Sequence, residues 1–167
     1  AKSVRQLRQY GWSQKYENQL AGGRNSRLDE IQAAFLMHLL PFLNDWNEKR
    51  REVSIKLSAG IKNADIQVPE AGSADYVAHL YVIQTSRREE LRNHLAKHGV
   101  QTDIHYPLAD HLQPCHQGKF SSQSLPITEN LSRTSLTLPC FPELTDHEVQ
   151  SVIDACNPFC RSPIRWF

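Results

Sequence analysis

Two short segments of this 167-residue chain carry side chains that could bind or convert a small molecule. The first is the run Gly22–Arg27, with the sequence Gly-Gly-Arg-Asn-Ser-Arg, which precedes an apolar repeat typical of a helix. Backbone N–H groups, an amide and two guanidinium groups at the positive end of a helix predict an anion site. The alternative is a capped helix with two solvated arginines. The run matches neither a Walker A nor a G-x-G-x-x-G motif.

The second segment combines residues 102–107 with the run His111–Pro114. His105 and Tyr106 lie at the end of a predicted strand and before a proline, where α/β layers often expose functional side chains. The alternative is that His105 has a structural role. No Ser/His/Asp or Cys/His arrangement is indicated, so the segment predicts no nucleophile.

A zinc site is a further interpretation of this region, because imidazole and thiol groups occur close together in the sequence. The four residues concerned are His105, His111, Cys115 and His116. No C-x-x-C pair is present and prolines interrupt the spacing, so we predict no metal site.

Composition excludes several classes of protein. The chain has 19 Lys+Arg and 18 Asp+Glu, a net charge of +1, which offers no basic surface for nucleic acid. Its longest apolar run, Ala33–Leu40, contains His38 and is shorter than the ~20 residues of a membrane span. No secretory segment is recognised, so a cytoplasmic protein is expected, with Cys115, Cys140, Cys156 and Cys160 reduced.

A long helical pattern should position the first segment. A short helix should end at Gly11, and the strongest stripe follows from Leu28 onward, with Ser26 and Asp29 as a capping pair. Its first half is apolar nearly all round and is expected to be buried. Pro41 should kink or break this helix, which resumes with a narrower stripe that includes Val53 and Leu57.

Short alternating elements should position the second segment. The pattern predicts strands at 66–68, 77–84, 100–106 and 136–138, and helices at 87–98, 126–134 and 145–156. Thr145 and Glu148 have the spacing of a capping box at the last helix. Such an order of elements indicates a small α/β layer.

Several separate strings resemble the second half of the DegT/DnrJ/EryC1/StrS sugar aminotransferases, in the same order, over about residues 2–156. They are Leu7–Gly11, Lys15–Tyr16, Gly23–Ala34, Trp46–Asn47 with Arg50–Arg51, Gly99–Val100 with Ile104–Pro107, His111–Pro114, and Leu138–Pro139 with Phe141–Thr145.

This resemblance implies an α/β fold, the C-terminal part of a type I (aspartate-aminotransferase-like) transferase that depends on pyridoxal 5'-phosphate. A long kinked connecting helix would lead into a small α/β domain with a short, mainly antiparallel sheet. Residues 1–40 would be the end of the large domain and the first half of that helix, 41–160 the small domain and 161–167 a tail. The reaction would transfer an amino group, usually from glutamate, to a nucleotide-linked keto sugar in deoxyaminosugar, polysaccharide or lipopolysaccharide biosynthesis, with a weak similarity to the 3-keto-6-deoxy branch.

The resemblance also implies roles for particular residues. Asn25 would reach across a homodimer interface to the cofactor phosphate of the partner subunit. Arg27 would bind the carboxylate of the amino donor or support the site structurally, and both alternatives stay open. His105 and Tyr106 would line the substrate side.

No catalytic residue is expected within the chain. The family's Schiff-base lysine lies upstream of the region that matches Ala1, and none of the lysines here occupies that motif. The isolated chain is therefore expected to be inactive, with an incomplete cofactor site. The alternative is a non-catalytic dimerisation or interaction module derived from the same family. Cys115 and His116 depart from the family pattern, which leaves the sugar specificity open.

Overall fold

The computed structural model describes residues 1–120 and 122–160, and the tail expected at 161–167 lies outside them. Contacts divide the chain into two compact units, Ala1–Leu43 and the part from Asn44 onward. The domain assignment made from the sequence stays a prediction.

The first unit begins with a short helix and a small hairpin. Helix α1 spans Lys2–Leu7, and Gly11 follows it with φ +77°, a conformation that glycine adopts without strain. Strands β1 (Trp12–Gln14) and β2 (Glu17–Asn18) form an antiparallel pair. The polar sequence of this stretch predicts no strand.

Helix α2 spans Glu30–Leu39, which is later than the capping pair predicted. Its N-cap is Asp29, whose side chain makes no capping hydrogen bond, so the prediction of Ser26 as N-cap is wrong. The physical reason is that the chain around Asn25 is extended and pairs with Gln9, which delays the start of the helix.

A single turn of 3-10 helix at Leu40–Phe42 separates α2 from α3, which spans Leu43–Gly60. The predicted break at Pro41 is therefore confirmed. On α3, Val53 and Leu57 are buried as expected.

The expectation that the first half of this helical region is buried nearly all round is wrong for this chain. Helix α2 has no buried residue. The other elements described in the first unit are α1, the small hairpin and the 3-10 turn, and the apolar side chains of α2 stay uncovered. The most exposed of these side chains are Ile31, Phe35, Leu36 and Met37, and Leu40 in the 3-10 turn is similarly exposed.

The second unit packs four helices on a two-stranded sheet. After α3 its elements are β3 (Tyr81–Gln84), α4 (Arg88–Lys97), α5 (Pro126–Thr134), β4 (Ser135–Leu138) and α6 (Asp146–Cys156). Strands β3 and β4 are antiparallel, with Tyr81 opposite Leu138 and Gln84 opposite Ser135.

Three of the predicted strands are shorter than expected or consist of one bridge. Residues 66–68 contribute only the bridge between Gln67 and Gln84, and residues 100–106 only the bridge between Asp103 and Thr137. Residues 77–80 precede β3. The apolar residues that suggested strands, such as Ile66 and Val100, are buried in the core without forming a ladder.

The core of the second unit contains apolar side chains from every helix except α5. Its buried members are Val53, Leu57, Ile61, Ile66, Tyr81, Ile83, Leu91, Leu95, Val100, Leu136, Leu138, Val149, Val152, Ile153, Ala155, Cys156 and Phe159. Burial raises the pKa of Tyr81 to about 12, although its phenol oxygen lies 2.7 Å from the Ser58 hydroxyl. The predicted capping box of α6 is present, with the Glu148 N–H donating to the Thr145 hydroxyl.

Among the residues described, no helix has the length and apolar character required to cross a membrane.

Candidate functional site

The segment that contains Asn25 is held by backbone hydrogen bonds to the end of α1. The Arg24 N–H donates to the Leu7 carbonyl at 2.8 Å, and the Ser26 N–H donates to the Arg8 carbonyl at 2.9 Å. Because both neighbours of Asn25 are bonded in this way, its backbone position is fixed although its side chain is exposed.

Two glycines permit this close approach of the two backbone segments. A Cβ atom on Gly23 would lie 2.1 Å from the carbonyl carbon of Tyr10 and from the nitrogen of Gly11. A Cβ atom on Gly11 would lie 2.0 Å from the Leu20 carbonyl oxygen. These are backbone atoms that cannot move aside, so only glycine fits at both positions.

The Asn25 carboxamide is oriented by Arg27. The Arg27 Nε–H donates to Asn25 Oδ1 at 3.0 Å. Since the oxygen is occupied, the amide NH₂ group of Asn25 points its donors elsewhere, and it has no acceptor among the residues described. The pair therefore presents amide N–H donors and a guanidinium charge, which suit an anion such as a phosphate.

The prediction that a helix N-terminus contributes to this anion site is wrong. The run Gly22–Arg27 does not open the helix, because α2 begins only at Glu30. The positive end of the helix therefore cannot supply the charge expected from it, and the donors are the side chains of Asn25 and Arg27.

In the second unit, His105 is anchored to the sheet. Its Nδ1 lies 2.9 Å from the Thr137 hydroxyl, and its Nε2 lies 3.7 Å from Asp103 Oδ2. Asp103 and Thr137 are themselves joined by two backbone hydrogen bonds of 2.7 and 3.1 Å. The imidazole is thus held at the sheet by β4, with a carboxylate near its second nitrogen.

Tyr106 is the exposed partner of His105. The two rings meet edge to face, with their centroids 5.3 Å apart, and Tyr106 is 69% exposed. A cavity of about 260 Å³ opens beside both rings, between the loop that carries them and helix α5. Its lining consists of His105, Tyr106, Leu108, Ala109, Asp110, Thr128, Leu131, Ser132 and Ser135.

The structure thus brings together the members of each predicted pair. Asn25 contacts Arg27 in the first unit, and His105 contacts Tyr106 in the second.

Two contacts of this region could not be predicted from the sequence. Thr137 was not considered, although its position on a short apolar strand makes its hydroxyl one of the few polar groups there. His111 is buried and its Nε2 lies 3.4 Å from Glu129 Oε1, whereas from the sequence it was considered only as part of a motif and as a candidate zinc ligand. No signal in the sequence links His111 to Glu129.

The zinc interpretation finds no support in the described part of the chain, where no group of three or more His, Cys, Asp or Glu side chains could hold a metal ion. The cysteines are free, with Cys115 and Cys160 exposed. Burial raises the pKa of the Cys140 thiol to about 11 and that of the Cys156 thiol to about 12.

Comparison with known proteins identifies the class to which this fold and these residues correspond. A profile of the DegT/DnrJ/EryC1/StrS aminotransferase family matches residues 1–157. A dTDP-3-amino-3,6-dideoxy-alpha-D-galactopyranose transaminase from Aneurinibacillus thermoaerophilus is 38% identical over 160 residues, which are 95% of this chain and 44% of that protein.

Solved structures agree with this match. The crystal structure of DesV from S. venezuelae, in complex with a ketimine intermediate, aligns with a TM-score of 0.82 and 39% identity over 92% of this chain and 42% of that one. The structure of NtdA from Bacillus subtilis with bound PMP aligns with a TM-score of 0.78 and 28% identity over 90% of this chain and 37% of that one.

The chain therefore belongs to the DegT/DnrJ/EryC1/StrS aminotransferase family, as its motifs predicted. The predicted fold class is confirmed: the chain has the fold of the C-terminal part of these solved aminotransferase structures, with helices and small antiparallel sheets. The chain spans about two fifths of the length of the relatives described, 44%, 42% and 37%.

Proposed function

We propose that this chain is the part of a PLP-dependent aminotransferase that supplies phosphate and substrate contacts for transfer of an amino group from glutamate to a nucleotide-linked keto sugar. Family membership supports the reaction class. The relative from Aneurinibacillus, named as a transaminase of a dTDP-linked 3-amino sugar, favours a dTDP-linked 3-keto-6-deoxy sugar as the acceptor.

The observation that carries this proposal is the hydrogen bond from Arg27 to Asn25. It directs the amide N–H donors of Asn25 away from Arg27 and makes them available to the phosphate of the cofactor, in the partner subunit of a homodimer. The residues present therefore fit the phosphate group. Bound PLP supplies an electron sink for the carbon that gains or loses a proton, while the protein orients it.

Two roles are proposed for Arg27. Its Nε–H orients the Asn25 carboxamide, and its remaining N–H groups are free to bind a carboxylate of the amino donor in a two-pronged manner. Both follow from the same side chain, since a guanidinium has five donors and Asn25 occupies one.

His105 and Tyr106 are proposed to bind the sugar nucleotide. The contact between His105 Nδ1 and Thr137 fixes the plane of the imidazole. Its Nε2, which lies 3.7 Å from Asp103 Oδ2, would exchange a hydrogen bond with a substrate hydroxyl. Tyr106 offers an exposed phenol at the mouth of the cavity. Neither residue is assigned the proton transfer at the reacting carbon.

The homodimer is proposed because α2 leaves a row of large apolar side chains exposed, and such a surface is typical of an interface. The proposed dimer would place Asn25 of one subunit at the cofactor of the other. The Schiff-base lysine would come from residues outside this chain, which alone would then be inactive.

The test uses the complete polypeptide that carries this sequence, purified with PLP. We expect transfer from glutamate to a dTDP-3-keto-6-deoxyhexose, detected as the amino sugar product. We also expect Asn25→Ala to weaken PLP binding by about 1.5–3 kcal/mol, because a bound anion loses a hydrogen bond, while Asn18→Ala on β2 leaves binding unchanged.

Cofactor binding separates this proposal from its alternative, a non-catalytic interaction module. A complete polypeptide that dimerises but never retains PLP would support the module. Stoichiometric, borohydride-stable attachment of PLP to a lysine of the present chain alone would contradict the claim that its site is incomplete. Unchanged PLP affinity in the Asn25→Ala variant would remove Asn25 from the phosphate site.

A further inference from the structure

His111 is an unusual residue of the loop that follows Tyr106. It lies in a turn of 3-10 helix at Asp110–Leu112 and is only 8% exposed. Neither of its ring nitrogens makes a hydrogen bond with a described residue. Burial of an imidazole without such partners costs free energy, so its position requires another explanation.

The group that faces His111 is a carboxylate at the start of α5. Nε2 of His111 lies 3.4 Å from Glu129 Oε1, and this carboxylate is only 27% exposed. The same oxygen accepts a hydrogen bond of 2.8 Å from the Leu125 N–H, which precedes the first turn of α5. Glu129 therefore accepts a hydrogen bond at the N-terminus of α5 and also contacts His111 in the loop.

These two residues join the two walls of the cavity beside Tyr106. Asp110, next to His111, lines the cavity from the loop side, and Thr128, next to Glu129, lines it from α5. The contact of 3.4 Å between His111 and Glu129 thus links the loop wall to the α5 wall.

We propose that His111 and Glu129 form a buried clamp that positions Tyr106 and the cavity for the sugar nucleotide. The clamp acts through Tyr106 and the cavity lining. His111 and Glu129 are therefore positioning residues, which do not contact the reacting atoms. This inference rests on the proposed function for the identity of the ligand, but the clamp itself is a property of the chain.

The kinetic test uses the complete enzyme with PLP and treats the two half-reactions separately. We expect His111→Phe, which keeps a ring and removes the polar contact, to raise KM for the keto-sugar nucleotide about tenfold, because a misplaced binding group lowers affinity. The value of kcat should stay within about twofold, and the half-reaction with glutamate should be unchanged. His111→Gln, whose amide nitrogen can reach Glu129, should restore most of the affinity.

A second measurement needs no activity and uses the present chain. The Leu112 and Gln113 N–H groups donate to Ala109 and Asp110 at 3.0 and 3.1 Å, so their hydrogen exchange reports the order of the loop. We expect faster exchange at both amides in His111→Phe, and no change in the matched control His147→Gln on the exposed face of α6.

If His111→Phe does not fold, His111→Leu provides the test, because it is smaller, removes both ring nitrogens and leaves the hydrogen bond from the Leu125 N–H to Glu129 in place. The inference is overturned if the loop exchange and the sugar KM are unchanged, or if both half-reactions lose activity equally. Absence of transaminase activity in the wild-type enzyme would overturn the proposed function, whereas the exchange measurement would still decide whether the clamp exists.

Discussion

Helices α2 and α4 each contain ten residues, yet the more apolar of the two is the less buried. Helix α2 has the sequence EIQAAFLMHL and no buried residue. Helix α4, REELRNHLAK, is mostly charged or polar, and its Leu91 and Leu95 are completely buried. The apolar helix is thus the exposed one.

This difference shows that the two units differ in how far they bury their apolar side chains. The second unit places apolar side chains from helices α3, α4 and α6 and from a sheet in one core, so two leucines suffice to hold α4. The first unit has no comparable layer among its described residues, and α2 presents its apolar side chains outward. Exposed apolar surfaces of this kind mark interaction sites, which is why a homodimer is proposed here.

The largest expected difference between the units is in core truncation. Leu95→Ala should lower the free energy of unfolding of this chain by about 2–5 kcal/mol, because it leaves a cavity in a packed core. Phe35→Ala on α2, where the ring is 67% exposed, should change it by less than about 0.5 kcal/mol. Urea denaturation followed by circular dichroism measures both. Equal losses would show that α2 is buried in solution, and sedimentation would then test for self-association.

An intermediate effect is expected at the glycines that hold the Asn25 segment. Gly23→Ala should cost about 1–3 kcal/mol or separate the paired backbones, because its Cβ would overlap backbone atoms of Tyr10 and Gly11. The amide exchange of Tyr10 and Ser26 should accelerate.

Gly22→Ala is the matched comparison for that change. No atom lies within 4 Å of its added Cβ. The substitution should therefore lower the free energy of unfolding by only roughly 1–2 kcal/mol, because alanine is strained at a φ of +82°. Retention of the Tyr10 and Ser26 protection in Gly23→Ala would contradict the close approach described here.

The smallest effect is expected at the cap of α6 in the well-packed unit. Thr145→Ala should cost about 1 kcal/mol at neutral pH, because the cap hydroxyl is lost. Hydrogen bonds from Thr145 lower the pKa of Glu148, so this contribution is present above the usual pKa of a glutamate and is lost as the pH falls. The difference in unfolding free energy between wild type and variant should therefore shrink between pH 7 and pH 3.

Ser151→Ala on the same helix is the control for this measurement. Among the described residues its hydroxyl donates to one acceptor, the His147 carbonyl four residues earlier, so its removal should cost nothing measurable. A pH-independent loss in Thr145→Ala would show that the hydrogen bond from the Thr145 hydroxyl to the Glu148 carboxylate does not form in solution.

Elements with strong local signals could be predicted closely. Helix α5 spans Pro126–Thr134, the range expected from its pattern, and the capping box at Thr145 marked the start of α6. The break at Pro41 followed from the missing N–H of proline. These features depend on residues close together in the sequence.

Features that depend on distant pairing were mispredicted. Residues 100–106 were expected to form a strand, but they contribute one bridge, between Asp103 and Thr137 on β4. The start of α2 was set too early because the pairing of Asn25 with Gln9 cannot be read from a helical pattern. Likewise, no local pattern indicates that His111 faces Glu129.

By itself the sequence determined the family, the order of most elements and the identity of Asn25, Arg27, His105 and Tyr106 as candidate site residues, because motifs and periodicity are local properties of the chain. Only the tertiary structure decided that Arg27 orients Asn25, that Thr137 anchors His105, and that α2 is exposed while α4 is buried. Burial and side-chain orientation depend on which distant segments pack together, and that information is absent from any local pattern.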